Sequence, residues 1–347
     1  MRKHIKHFKQ QKVISVLDEN KKTLMPCSEK RVRKLLERKE AKPYWHKGVF
    51  CIILQRPPRT RYKQEVVVGI DPGSKFEGLT VKSEAHTLLN IQTEAKTDVK
   101  NKVENRSDLR RSRRGRKLRY RQPRFNRNRR KGFVAPSTKS RWDYKLSLLN
   151  WLSKMYPVSH VVVENISATT LKGKRRWNKS FSPLQVGKNY FRSEVQKLGV
   201  EYSEYAGFET YTLRSRYGLK KNSNKSMKDF YTHCVDSWVL ANEVVGGHTM
   251  VDNGRVIFLS PIKRHRRQLH RQNPSKGGVR SPYGSTRSLG LERGTLVKHP
   301  KWGLSLVSGT TKGRISLNNL ENNKRLCQNA KKEDLKLLTN QKWNIKT

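Results

Sequence analysis

The sequence predicts an α/β protein built on a mixed sheet, and three features carry that prediction. Short apolar runs, Val66-Val67-Val68-Gly69-Ile70 and His160-Val161-Val162-Val163, have the length and β-branched content of buried strands. Each ends in a carboxylate, Asp71 or Glu164. Around them lie stretches with the 3.6-residue periodicity of helices that bury one face.

Taken in order, residues 1–55 alternate strand-like runs with one basic helix: Val13 to Leu17, Thr23 to Pro26, a helix from Ser28 to Lys39, then Val49 to Leu54. Ser28 suits the N-cap and Glu29 the first turn. The run from Val66 closes on Asp71-Pro72-Gly73, a turn signal, and is followed by strand-like Phe76–Val81 and His86–Gln92. Trp142 to Tyr156 reads as an amphipathic helix, because Leu148, Trp151, Leu152 and Met155 recur at i, i+3, i+4 and i+7. A second helix is expected around Gly187–Leu198, with Phe191, Val195 and Leu198 on one stripe. A third, Lys228 to Val245, places Tyr231, Cys234, Val235 and Trp238 on a core face and sets His233 and Asp236 one turn apart. After Ser260 the chain is basic and rich in Gly and Pro to about Gly290. Beyond it, Thr295–Val297, Leu304–Val307 and Arg314–Leu317 predict a small β-rich module.

Composition narrows the partner. The 347 residues hold 77 Lys and Arg against 27 Asp and Glu, a net charge of +50, with only 34% hydrophobic residues. Self-repulsion of that size opposes compaction unless a polyanion neutralises it, which points to nucleic acid. No run of about 18 apolar residues is present, and the cationic start Met1-Arg2-Lys3 has no apolar stretch behind it, so the expectation is a cytoplasmic protein with no membrane partner. Cys27, Cys51, Cys234 and Cys327 stand singly, without the paired spacing of a zinc or redox site.

Between Arg106 and Lys131, fourteen of 26 residues are Arg or Lys and only Asp108 is acidic. Such a segment builds no core of its own. It is either a solvated basic arm or an arginine-rich helix ordered along RNA phosphates, with Pro123 ending any continuous helix near Gln122. The nucleic-acid-binding candidates are Arg106, Arg110, Arg111, Arg113, Arg114, Arg116, Lys117, Arg119, Arg121 and Arg124, with Lys188, Arg264, Arg266 and Arg267 further on.

Three carboxylates suit metal-dependent phosphodiester hydrolysis: Asp71 and Glu164 at strand ends and Asp236 on a helix. Mg²⁺ takes hard oxygen ligands, and two such ions can activate a water and stabilise the leaving oxygen, with Mn²⁺ as a substitute. Gly69 and Gly73 leave room for a backbone to approach closely. His233 is a further catalytic candidate, able to orient water or steady the leaving group.

These residues resemble a known family. Val67 to Val81, HVVVENIS around Glu164 and HCVDSWVLA from His233 to Ala241 are similar to the three pieces of a split RuvC nuclease. Leu24-Met25-Pro26 before a basic helix, the arginine-rich segment and Ser182 to Asn189 resemble the transposon-encoded IscB/IsrB family of RNA-guided nucleases, with Thr23 at the first position of the Pro-Leu-Met-Pro signature. The 68 residues between Glu164 and His233 contain no histidine or cysteine, so the HNH nuclease inserted there in IscB is absent and the resemblance is to the IsrB branch. It implies an RNase H-like (RuvC) mixed sheet split by insertions, an arginine-rich bridge helix, a small N-terminal α+β module and a small β-rich C-terminal module. The expected division is 1–60 N-terminal module, 61–100, 136–175 and 176–255 RuvC parts, 101–135 bridge, 256–293 basic linker, and 294–347 C-terminal module facing motif DNA or guide RNA.

It further implies a monomer in a ribonucleoprotein with a guide (omega) RNA. That complex would recognise double-stranded target DNA beside an adjacent motif, form an R-loop and nick the non-target strand with two Mg²⁺ ions. Two other functions compete. A structural RNA-binding protein explains the charge but not the carboxylates, and a guide-free resolvase or transposase-associated nuclease explains the carboxylates but not the arginine-rich segment.

Overall fold

The computed structural model describes residues 13–114, 133–167, 182–247, 250–262, 272–273, 278–279, 287–320, 322–340 and 343–346. The chain forms two compact units, 1–258 and 259–347.

The first unit opens with a four-stranded sheet of β1 (Val13–Leu17), β2 (Thr23–Ser28), β3 (Ala41–His46) and β4 (Val49–Leu54), in the order β2-β1-β4-β3. Helix α1 (Glu29–Glu37) buries Val32 and Leu35 against Val16, Leu24, Ile52 and Leu54. Ser28 holds the N-cap position but its side chain makes no capping hydrogen bond. Strand β3 escapes the sequence reading because Ala-Lys-Pro-Tyr-Trp-His lacks an apolar run; it is an edge strand, which tolerates Pro43.

The main sheet includes, within the first unit, β5 (Val66–Asp71), β6 (Phe76–Ser83), β7 (Thr87–Glu94), β8 (His160–Asn165) and β9 (Glu201–Ala206), which run in the order β7-β6-β5-β8-β9. β5–β6 and β6–β7 are antiparallel, whereas β5–β8 and β8–β9 are parallel. The mixed α/β class is therefore as expected, and the sheet is split in sequence by the helices between β7 and β8 and between β8 and β9. Strand β9 has no counterpart in the sequence reading because Glu-Tyr-Ser-Glu-Tyr-Ala carries no apolar alternation.

Helix α2 (Asp98–Arg114) precedes α3 (Pro136–Leu152), α4 (Ser182–Lys197) and α5 (Gly207–Arg216). The helix predicted over Lys228–Val245 is broken into α6 (Phe230–His233) and α7 (Val235–Val245), and Asp229 caps α6 by accepting from the Thr232 amide at 2.7 Å.

The faces of the sheet follow from alternation along β6. Gly78 lies under the α6–α7 junction, so its neighbour Glu77 points to the opposite face. There Glu77 accepts from Lys145 of α3 at 2.5 Å in a pair that is almost wholly buried. Helix α3 thus covers one face and α7 the other. The described part of the second unit is β-rich, centred on a five-stranded antiparallel sheet: Arg325–Ala330, Arg314–Asn318, Gly303–Thr311, Thr295–His299 and Lys336–Asn340 in that order. Its core is Val297, Val307, Ile315 and Leu317.

Candidate active site and nucleic-acid surface

Register brings the first two predicted carboxylates together. β5 and β8 run parallel with Ile70 beside Val163, so the next residues, Asp71 and Glu164, stand side by side at the same end of adjacent strands. Both belong to the face on which α7 packs, and they share a hydrogen bond.

The third carboxylate arrives through glycine. A Cβ at Gly69 would lie 1.9 Å from the Ser237 carbonyl oxygen, and one at Gly78 would lie 1.8 Å from that of His233. Only bare backbone at these two positions lets the start of α7 settle onto the sheet, where Asp236, 3% exposed, is carried towards Asp71. The approach at Gly73 is of another kind, with its Cβ position filled by the Phe76 carbonyl across the turn.

Two cations that sequence reasoning passed over complete the cluster. Arg214 of α5 donates to Asp236 Oδ1 at 2.5 Å. Lys221 Nζ contacts Asp236 Oδ2 and lies 3.5 Å from Asp71 Oδ2. No motif marks Lys221; it is one of many lysines between Lys220 and Lys228, and only the folded chain singles it out.

The electrostatics follow from crowding. Burial pushes the Glu164 pKa up to about 8, helped by the nearby charges of Asp71 and Asp236. Asp71 is raised as well, chiefly by burial, with Lys221 opposing and Asp236 adding to the rise. Burial disfavours the Lys221 ammonium, but Asp71 and Asp236 outweigh it and hold its pKa above the ordinary lysine value. Asp71, Glu164 and Asp236 are oxygen donors of the kind a hard divalent cation takes, so the donor set fits such an ion.

His233 stands apart from this cluster in its contacts. Its ring packs on Phe76 at 5.1 Å and Nε2 meets the Lys225 carbonyl at 3.1 Å. The helix break at Cys234 separates His233 from Asp236, so the one-turn spacing foreseen on a continuous helix does not hold.

A second donor set, absent from the sequence reading, lies at the opposite end of the same strands. Glu65, His160 and Glu201 bring their ligand atoms within 4.8 Å of one another, a group that could hold a metal ion. His160 Nδ1 lies 3.3 Å from Glu201 and 3.7 Å from Glu65, while Nε2 meets Ser203 Oγ at 2.8 Å.

The nucleic-acid candidates divide. Arg106, Arg110 and Arg111 are exposed on α2, where Arg113 and Arg114 also lie. Arg116, Lys117, Arg119, Arg121, Arg124, Arg264, Arg266 and Arg267 lie outside the described residues. Lys188 is tied up within the fold: it is 6% exposed and bonded to Glu204 at 2.6 Å and to Asn165, which fastens α4 to the sheet. It nevertheless lines a cleft beside Glu164 with Pro72, Arg141, Lys145 and Leu184.

Fold and site thus define a mixed α/β protein with a buried carboxylate cluster at one end of its sheet. The family described as RRXRR protein matches residues 14–178, just under half of the chain, a span that includes Asp71 and Glu164. Those letters are spelled within it by Arg110-Arg111-Ser112-Arg113-Arg114. No curated protein matches. Among solved structures, the chain is similar to Thermus thermophilus RuvC in complex with a Holliday junction substrate at 15% identity and a TM-score of 0.29, covering 51% of this chain and 90% of that one. The Thermus thermophilus RuvC structure gives 14% identity and a TM-score of 0.28, covering 52% and 96%. Likeness at that level assigns no role to any residue.

Proposed function

We propose that this protein is an RNA-guided DNA endonuclease of the IsrB type, which nicks one strand of a target duplex. The observation that carries the reading is the convergence of Asp71, Glu164 and Asp236, from two strands and a helix far apart in sequence, within a chain of net charge +50. A scaffold that only bound RNA would have no use for three acids gathered in one place, Asp71 and Asp236 buried and Glu164 half-buried, since such groups cost desolvation and add no attraction for a polyanion. The RRXRR match over residues 14–178 and the exposed arginines of α2 support the nucleic-acid side.

In this reading Asp71, Glu164 and Asp236 would hold two Mg²⁺ ions, whose chemistry there would be to activate water and to offset charge on the leaving oxygen of a phosphodiester. The protein's own part is to desolvate and fix the carboxylates, while Arg214 keeps Asp236 oriented. Lys221 holds Asp71 and Asp236 together through its ammonium group. A single such cluster cuts one strand at a time. Sequence is read by pairing between guide and target, and the basic surface grips backbones.

The test begins with the RNA. Protein expressed with its native flanking DNA and purified in high salt should retain one discrete structured RNA encoded beside its own gene, carrying a guide segment. A mixture of ribosomal and messenger fragments would reject the guided reading in favour of a general RNA binder or a guide-free nuclease.

A further inference from the structure

Helix α5 is rooted in the carboxylate cluster at both ends. At its start, a Cβ on Gly207 would lie 3.6 Å from Glu164 Oε1. Towards its end, Arg214 holds Asp236 at 2.5 Å. Thr210 and Leu213 bury the inner face. On the outer face stand two aromatic rings one turn apart, Phe208 at 74% and Tyr211 at 62% exposed. The Arg214 guanidinium lies 5.4 Å from the centre of the Tyr211 ring, so one side chain links that ring to Asp236.

Exposed rings beside an acidic site, in a chain rich in arginine and lysine, call for a ligand that offers both apolar faces and negative charge. Single-stranded nucleic acid has that chemistry: its unpaired bases stack on aromatic side chains while its phosphates meet Arg and Lys. A duplex does not, because its base faces are already stacked on one another.

We propose that Phe208 and Tyr211 form a stacking platform for unpaired bases of the DNA strand whose phosphodiester enters the Asp71–Glu164–Asp236 cluster. The platform makes the site selective for single-stranded over duplex DNA. The proposal rests on the nuclease reading above and adds to it the residues that hold the unpaired strand at the site. Lys220, exposed on the same stretch of chain, is the cation placed to meet a phosphate beside the rings.

The probe is a short single-stranded DNA carrying 2-aminopurine, whose fluorescence is quenched when it stacks, bound to full-length protein in a cleavage-inactive Asp71→Asn background. Quenching is expected with Phe208 and Tyr211 in place and is expected to be lost in the F208A/Y211A double variant. Affinity for the single strand should fall at least about fivefold per ring. The slope of log affinity against log salt should stay unchanged, because the rings carry no charge. Affinity for a duplex of the same length should also be unaffected, and F208W/Y211W should restore quenching.

Undiminished quenching in the double variant, or an equal loss on single strand and duplex, would overturn the platform. This outcome is separable from failure of the nuclease reading. Absence of divalent-metal-dependent nicking by the wild type, with the stacking difference intact, would remove the catalytic assignment and leave the platform standing.

Discussion

At Glu164 the fold sets a carboxyl in a place where charge is disfavoured, and that has a measurable consequence. Its ordinary pKa of 4.5 rises to about 8, so between those values the folded chain holds a proton that the unfolded chain releases. More protons bound in the folded state means that stability falls as pH rises. The contribution is retained below about pH 4.5, is lost progressively up to about pH 8, and changes no further above it. In chelator, the wild-type melting temperature should decline across that window and Glu164→Gln should flatten the decline; an identical pH profile would show that Glu164 is not the group responsible. Lys221 acts in the opposite sense, as a tethered cation between Asp71 and Asp236. Lys221→Met should lower the melting temperature in chelator and enlarge the stabilisation gained on adding Mn²⁺, since the ion no longer competes with an ammonium group. Equal metal-induced shifts in both proteins would contradict that role.

Among the elements, the meeting of α7 with β5 and β6 decides whether a site exists at all. Gly69 and Gly78 are the contact points, with carbonyl oxygens where a Cβ would stand. Gly69→Ala or Gly78→Ala should force α7 off the sheet, cost about 1–3 kcal/mol or more of stability, and abolish cleavage while RNA binding persists. Thermal denaturation and a filter-binding assay measure the two effects, and full activity in either variant would refute the packing argument. Much of this was legible in the sequence. The apolar runs at Val66 and His160 announced strands, and their terminal carboxylates marked the candidate site. What stayed hidden has physical causes. β3 and β9 are half-exposed strands without an apolar pattern. The break between α6 and α7 depends on tertiary packing at Cys234. Arg214 and Lys221 belong to a charge-rich stretch in which no spacing separates a site residue from a solvated one, and the bonds of Lys188, a nucleic-acid-binding candidate, to Glu204 and Asn165 depend on the folded chain.

For the whole molecule, charge and site make opposite demands. A surplus of fifty positive charges favours a polyanionic partner, whereas the carboxylate cluster is a small acidic island that phosphate approaches only when cations intervene. In the proposed function the two are reconciled, with affinity belonging to the basic surface and chemistry to the cluster. The C-terminal module over 294–347, with its antiparallel sheet, is the proposed reader of motif DNA or guide RNA. The decisive experiment incubates the complex of protein and its own RNA with a supercoiled plasmid carrying the guide-matched target, with and without Mg²⁺. Mg²⁺-dependent conversion to open circles, with no linear product, is the expected result. Asp71→Asn, Glu164→Gln and Asp236→Asn should each abolish nicking without releasing RNA or target. Efficient linearisation, or undiminished cutting by those variants, would contradict a single carboxylate site that nicks one strand.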